Sequence, residues 1–168
     1  MFLQFALAAS LASCPIENAR YDLRGSTGVA ARFYPVPRSR DWPTGLALRV
    51  RVAESGRSYW FLPWEGGTNG KINLAWVRER RSPIQYQTDR RDIEFFAMDA
   101  AYNLDPGLPR AGGLAPAHML LPDLSNLAWH STTAINRDSI ARAFFDLAGC
   151  DAPQSTDLAP RIEFPPVP

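Results

Sequence analysis

Lysine is nearly absent from this chain. Lys71 is the sole lysine among 18 basic side chains, and these stand against 17 acidic ones for a formal net charge of +1. So small an excess lacks the clustered positive charge that a nucleic-acid binder turns toward phosphates, and no nucleic-acid partner is expected. Histidine is scarce as well: only His118 and His130 are present, with Asp123 between them. That spacing matches no zinc motif, so neither a metal nor another cofactor is expected. The chain contains no G-x-S-x-G elbow and no catalytic-cysteine context. Its glycine cluster, Gly66 to Lys71, lacks the Gly-Lys-Ser/Thr ending of a phosphate loop and reads as a hairpin turn. The apolar stretch Phe2 to Ala12 is too short for a permanent membrane helix, which needs about 20 apolar residues. No internal repeat or low-complexity tract is evident.

What is present begins with that stretch. Phe2 to Ala12 carries no charged side chain, and small residues follow its apolar core. This is the pattern of a cleaved secretion signal. Leu11-Ala12-Ser13-Cys14 resembles the lipobox of bacterial lipoproteins: a leucine, two small residues, then cysteine. The resemblance covers only this segment. It implies cleavage before Cys14, a lipid thioether on its sulfur, and a membrane anchor on the periplasmic side of a bacterial envelope. Two other readings stay open. In one, an ordinary signal is cut earlier and Cys14 pairs with Cys150 in an oxidising compartment, leaving a soluble periplasmic or secreted domain. In the other, residues 2–12 form the first helix of a cytosolic protein. The division that follows is residues 1–13 as signal, 14–150 as one globular domain, and 151–168 as a proline-rich tail.

The domain reads as mainly β (α+β). It is expected to be an antiparallel meander, or a small sandwich or barrel, with one C-terminal helix packed on it. Tyr21 and Leu23 suggest a short strand, and residues 29–36 a second. Leu46, Leu48, Val50 and Val52 alternate with Ala47, Arg49, Arg51 and Ala53, giving an apolar face and an arginine face. A turn at Glu54-Ser55-Gly56 then leads into Ser58-Tyr59-Trp60-Phe61-Leu62, completing a hairpin in which the arginine face can reach the Tyr59 ring. Ile72, Leu74 and Trp76 give a third meander strand, and Ile84 to Tyr86 a short one. Ile93 to Met98 reads as one strand buried on both sides, or a helical turn. Residues 103–130 read as a long irregular segment, with His118 exposed in a loop. A helix is expected from the Asn136 cap to Gly149. Its stripe of Ile140, Ala143, Phe144 and Leu147 would be buried, and Arg142 would pair with Asp138 and Asp146.

Function follows less directly. The leading expectation is an exported, lipid-anchored envelope protein acting as a non-catalytic binding or structural module, its partner an envelope protein or glycan. Trp42, Tyr59, Trp60 and Trp64 are the candidate binding surface, because alternation cannot bury Tyr59, Trp60 and Phe61 on one face; the alternative is a sheet covered on both faces. The rival is a small periplasmic or secreted hydrolase with a site near His130, where Ser131 or Cys150 would be the nucleophile. Glu94, Asp99 and Asp105 are close enough in sequence to serve as paired carboxylates. The basic run Arg78 to Arg81 with Arg90-Arg91 reads as a solvated loop edge, or a contact for an anionic surface.

Overall fold

The computed structural model describes residues 13–38, 40, 42–66, 70–77, 92–130 and 137–152. The signal-like residues 1–12, the basic runs, the strand expected at 84–86, Ser131 and the tail from 153 lie outside them.

Among the described residues, ten antiparallel strands form one curled sheet: β1 (Ala19–Leu23), β2 (Val29–Pro35), β3 (Leu46–Val52), β4 (Ser58–Gly66), β5 (Lys71–Val77), β6 (Asp92–Glu94), β7 (Phe96–Met98), β8 (Leu104–Asp105), β9 (His118–Leu120) and β10 (Phe144–Cys150). Their order is β6-β5-β4-β3-β2-β1-β10-β9-β7-β8. The first five strands are the expected meander, each pairing antiparallel with the next,. Gly25 and Gly56 supply positive φ in two of those turns,. The last strand, β10, then enters beside β1, so the two ends of the domain pair in the middle of the sheet.

The apolar run Ile93 to Met98 is neither a single strand nor a helical turn. It divides at Phe95 into β6 and β7, which pair at opposite ends of the strand order, with β5 and with β8 and β9. The chain itself thus links the two ends of the curled sheet. Phe95 is buried inside, edge-on to Phe33 at 6.5 Å between ring centroids, and its N–H donates to the Ile72 carbonyl at 3.1 Å.

Period-two alternation sorts the core into two clusters. Inside the curl lie Tyr21, Phe33, Leu48, Val50, Tyr59, Phe61, Leu74 and Phe145, with Leu124, Leu127 and Ala128 of the short helix α1 (Leu124–His130). On the outer face of β2 to β5, Tyr34, Ala47, Trp60, Leu62 and Ala75 form a second cluster, joined by Trp42 from the β2–β3 connection. Both faces of the aromatic strand are therefore covered. The β3–β4 register sets Val50 opposite Tyr59 and Arg49 opposite Trp60. Tyr59 accordingly faces the inner core with Val50, and the arginine face of β3 meets Trp60, with Arg49 Cζ 5.5 Å from its ring centroid.

The C-terminal segment corrects the sequence reading most sharply. Residues 144–150 are a strand, and among the described residues the α-helix lies earlier, at α1. Four apolar residues at helical spacing overlap a period-two set, because Phe145 and Leu147 also alternate. A helix of about 12 residues is marginal alone, whereas β1 and β9 offer backbone partners on both sides. Phe145 is the buried ring, and Phe144, expected to be buried, is only partly so on the opposite face. Between Arg20 and Tyr21 the register slips by one residue, leaving Ala148 as the extra residue of a bulge,. The segment 103–130, expected to be irregular, contains β8, β9 and α1. Among the described residues no helix is long and apolar enough to cross a membrane.

Gly45 marks the tight return from β2 to β3. Its φ is +68°, its carbonyl accepts from Val36 N–H at 3.0 Å, and a Cβ there would stand 2.8 Å from Arg38 Nε. Gly45→Ala is expected to cost about 1–2 kcal/mol, the left-handed penalty for an L-residue; urea unfolding at constant slope checks it.

Candidate functional site

Strand pairing builds one polar cluster on the outer surface. β10 and β9 set Asp146 directly opposite His118, and β1 sets Asp22 opposite Asp146. Alternation puts Asp146 and His118 outward while Phe145 and Met119 point in. Arg24, one residue beyond β1, is fixed by its N–H to the Phe144 carbonyl at 2.8 Å. The turn between β7 and β8 contributes Tyr102.

These residues converge on the Asp146 carboxylate. Arg24 donates to it twice, from Nε and Nη2, each at 2.8 Å, and His118 Nδ1 lies 2.7 Å from its Oδ1. The hydrogen bonds from Arg24, and then from His118, hold the Asp146 carboxyl below the usual carboxylate range against the opposing effect of partial burial,. The Tyr102 ring stacks on the His118 ring with centroids 4.1 Å apart and planes 5° from parallel, and Arg24 Nη2 donates to its hydroxyl. Tyr102 does this from the left-handed region, φ 63°, where a side chain of this size is unfavourable,. The turn is fastened by Asp99, whose carboxylate accepts from the N–H groups of Ala101 and Asn103 at 2.8 and 2.9 Å and from Asn103 Nδ2 at 2.9 Å. Those bonds, led by Asn103, hold Asp99 below the usual range as well.

An aspartate on Nδ1 leaves Nε2 of a histidine as the working nitrogen, and nucleophilic catalysis needs a hydroxyl or thiol there. Among the described residues no serine, threonine or cysteine hydrogen-bonds His118. The Asp146 oxygens are taken by the arginine fork and the imidazole. The arrangement does the work of a latch, securing the β7–β8 turn to the face of β1, β10 and β9.

A second polar cluster is buried. Asp138 accepts from Arg57 Nε at 2.7 Å and Nη2 at 2.6 Å, and from the Tyr59 hydroxyl at 2.6 Å. It ties the irregular segment before β10 to the start of β4. Burial pushes the Asp138 carboxyl up, but the hydrogen bonds from Arg57, Tyr59 and Ser55 together outweigh it and the group stays below its ordinary range,. Asp138 therefore finds Arg57, not Arg142, and Asp146 finds Arg24.

The site residues expected from sequence fare unevenly. Trp42, Tyr59 and Trp60 are buried and Trp64 partly so, and they form no open binding surface. Cys150 is bonded to Cys14, their Cα atoms 5.7 Å apart, and is no free nucleophile. A sulfur in that bond carries no lipid thioether, so the bridged and acylated states of Cys14 exclude one another. His130 is exposed at the end of α1, and Ser131 lies outside the described residues. His118 is in a strand and paired, not loose in a loop. The three carboxylates proposed for acid–base work go separate ways: Glu94 pairs with Lys71, Asp99 with its own turn, and Asp105 accepts from Gly107 N–H at 2.8 Å. Among the described residues no three metal-ligating side chains gather. Gly66 and Lys71 are register partners across the β4–β5 hairpin, as the glycine cluster implied, with residues 67–69 outside the described set. Arg24, Tyr102 and Asp146 were not foreseen as a group. A strand reading of 144–150 would have set Asp146 beside His118. Comparison with protein-family models, curated proteins and solved structures returns no match to this chain.

Proposed function

We infer that this chain is an exported, disulfide-closed β domain acting as a non-catalytic binding or structural module. The observation that carries this reading is the Cys14–Cys150 bridge. Disulfides persist in exported proteins and are rare where thiols are kept reduced, and the bridge begins directly after a stretch with the pattern of a secretion signal. The non-catalytic part rests on the polar clusters: Asp146 and Asp138 spend their oxygens on arginine, histidine and tyrosine partners that hold elements together.

The test is the intact mass and compartment of the protein purified from its own host. The expected result is a chain cleaved near Cys14, unacylated, recovered from the soluble exported fraction, and lighter by the two hydrogens of one disulfide than its reduced form. An acyl mass lost in Cys14→Ser would restore the lipid-anchored reading. A reduced chain retaining Met1 in the cytosol would overturn export altogether.

A further inference from the structure

The outer face of β1, β2 and β3 carries a row of arginines. The register sets Arg20 opposite Arg32 and Arg32 opposite Arg49; in the next row outward, Asp22, Ala30 and Arg51 stand side by side. Like charges directly opposite one another across strands repel, so this row opposes folding unless anions answer it. The chain supplies some of the answer. Asp151 pairs with Arg32 and stands 3.7 Å from Arg20 Nε, while Arg20 Nη1 donates to both Asp22 oxygens at 2.9 and 2.7 Å. Arg49 is turned aside to Ser58 Oγ at 2.9 Å.

The answer is incomplete. Arg51 is exposed and has no hydrogen-bond or ion-pair partner among the described residues. Nη1 of Arg32 is buried and finds no acceptor among the described residues. Among the described residues of this face, the four guanidinium groups of Arg20, Arg32, Arg49 and Arg51 meet two carboxylates. Beside them lies an open groove of about 510 Å³. Arg20, Asp22, Ala30 and Arg51 line it, with the hydroxyl residues Ser26 and Thr27. Arginine forks and hydroxyl donors together suit a carboxylate, phosphate or sulfate oxygen pair.

We propose that the outer face of β1 to β3 is an oxyanion-binding site in which Arg51 and Arg20 grip the ligand and Arg32 anchors the adjoining seat. Asp151 holds that seat in the absence of ligand. It follows Cys150 directly, and its N–H donates to the Asn18 carbonyl at 2.8 Å, so the disulfide fixes where this internal carboxylate sits. The inference rests on the binding-module reading and gives it a ligand class. The two fail separately, because export is read from the compartment and anion binding from the purified protein.

Calorimetric titration of the purified, bridged protein with inorganic pyrophosphate, and separately with dextran sulfate, tests it. Saturable binding of pyrophosphate assigns a compact oxyanion, and saturation by dextran sulfate alone assigns a polymer-borne one. In either case R51Q is expected to weaken binding about tenfold, the loss of one charge-assisted fork, with the thermal midpoint unchanged because the side chain is exposed. D151N is expected to tighten binding severalfold by removing the internal competitor. K71Q, a lost cation at a distant hairpin, is expected to change nothing. No saturable binding of either probe up to about 10 mM overturns the proposal. So does an R51Q affinity equal to wild type, a D151N affinity no better than wild type, or a K71Q loss equal to that of R51Q.

Discussion

Replacing Cys14 and Cys150 together by alanine is expected to lower stability by about 4–5 kcal/mol and the melting midpoint by roughly 10–15 °C. The bridge spans 136 residues of sequence, and closing so long a loop in the unfolded chain removes about 5 kcal/mol of its conformational freedom in the chain-entropy model. The native state has a matching local stake. Cys14 is buried, Ile16 beside it enters the inner core, and Pro15 bridges to Leu114. Without the bond this segment is held by a few backbone contacts, including Ile16 N–H to the Gly113 carbonyl at 3.0 Å. The β1–β10 pairing links the two ends of the domain near the middle of the sheet, the kind of long-range contact whose closure is slow and entropically costly. Reduction of the wild type by dithiothreitol should reproduce the double variant, which separates the bond from the loss of sulfur packing. Equal midpoints for oxidised, reduced and doubly substituted protein would show that the cysteines are unbonded in solution.

The legible part of this fold is the part whose pattern has one period. Leu46 to Val52, Ser58 to Leu62 and Ile72 to Trp76 alternate cleanly, and the turns between them contain glycine at positive φ, so a meander was readable down to the hairpins. The run from Ile93 to Met98 read as a strand or a helical turn, and alternation speaks of faces and not of partners. That its halves pair at opposite ends of the sheet depends on the curl of all the other strands. Residues 140–150 failed for a different reason. Ile140, Ala143, Phe144 and Leu147 satisfy helical spacing while Phe145 and Leu147 satisfy a strand, and local propensity yields to whichever partner surface exists. The error carried over to the site: on a helix Asp146 meets Arg142, and on a strand it meets His118 and Arg24. The aromatic cluster illustrates a further limit. Sequence showed that Tyr59 and Trp60 must face opposite ways, and left open whether the second face was covered. Trp42 from the β2–β3 connection helps to cover it, a contact no periodicity encodes.

Arg57→Met is expected to cost about 3 kcal/mol and to move acid unfolding to higher pH. The Asp138 side chain is only 4% exposed and the Arg57 side chain 27%, so the magnitude belongs at the lower end for breaking a buried pair. What the substitution leaves behind decides the outcome: a buried carboxylate with Tyr59 and Ser55 as donors and no fixed cation. In the wild type the folded Asp138 ionises below the unfolded value near 3.9,. Between the two values the unfolded chain binds more protons, so stability rises with pH there. The contribution is therefore present above the unfolded value and is lost as pH falls through the folded one. Removing Arg57 removes the largest group opposing burial, the folded value climbs, and the loss begins nearer neutrality. The companion variant Asp138→Asn, which keeps the shape and the Tyr59 contact without a titrating group, should show a shallower acid dependence than wild type. In the double variant Arg57→Met/Asp138→Asn the uncompensated charge is gone, so its cost should fall short of the sum of the two single costs, a coupling a double-mutant cycle reads directly. Identical acid midpoints for wild type and Arg57→Met would show that the Arg57–Asp138 contact does not hold the segment before β10 in solution.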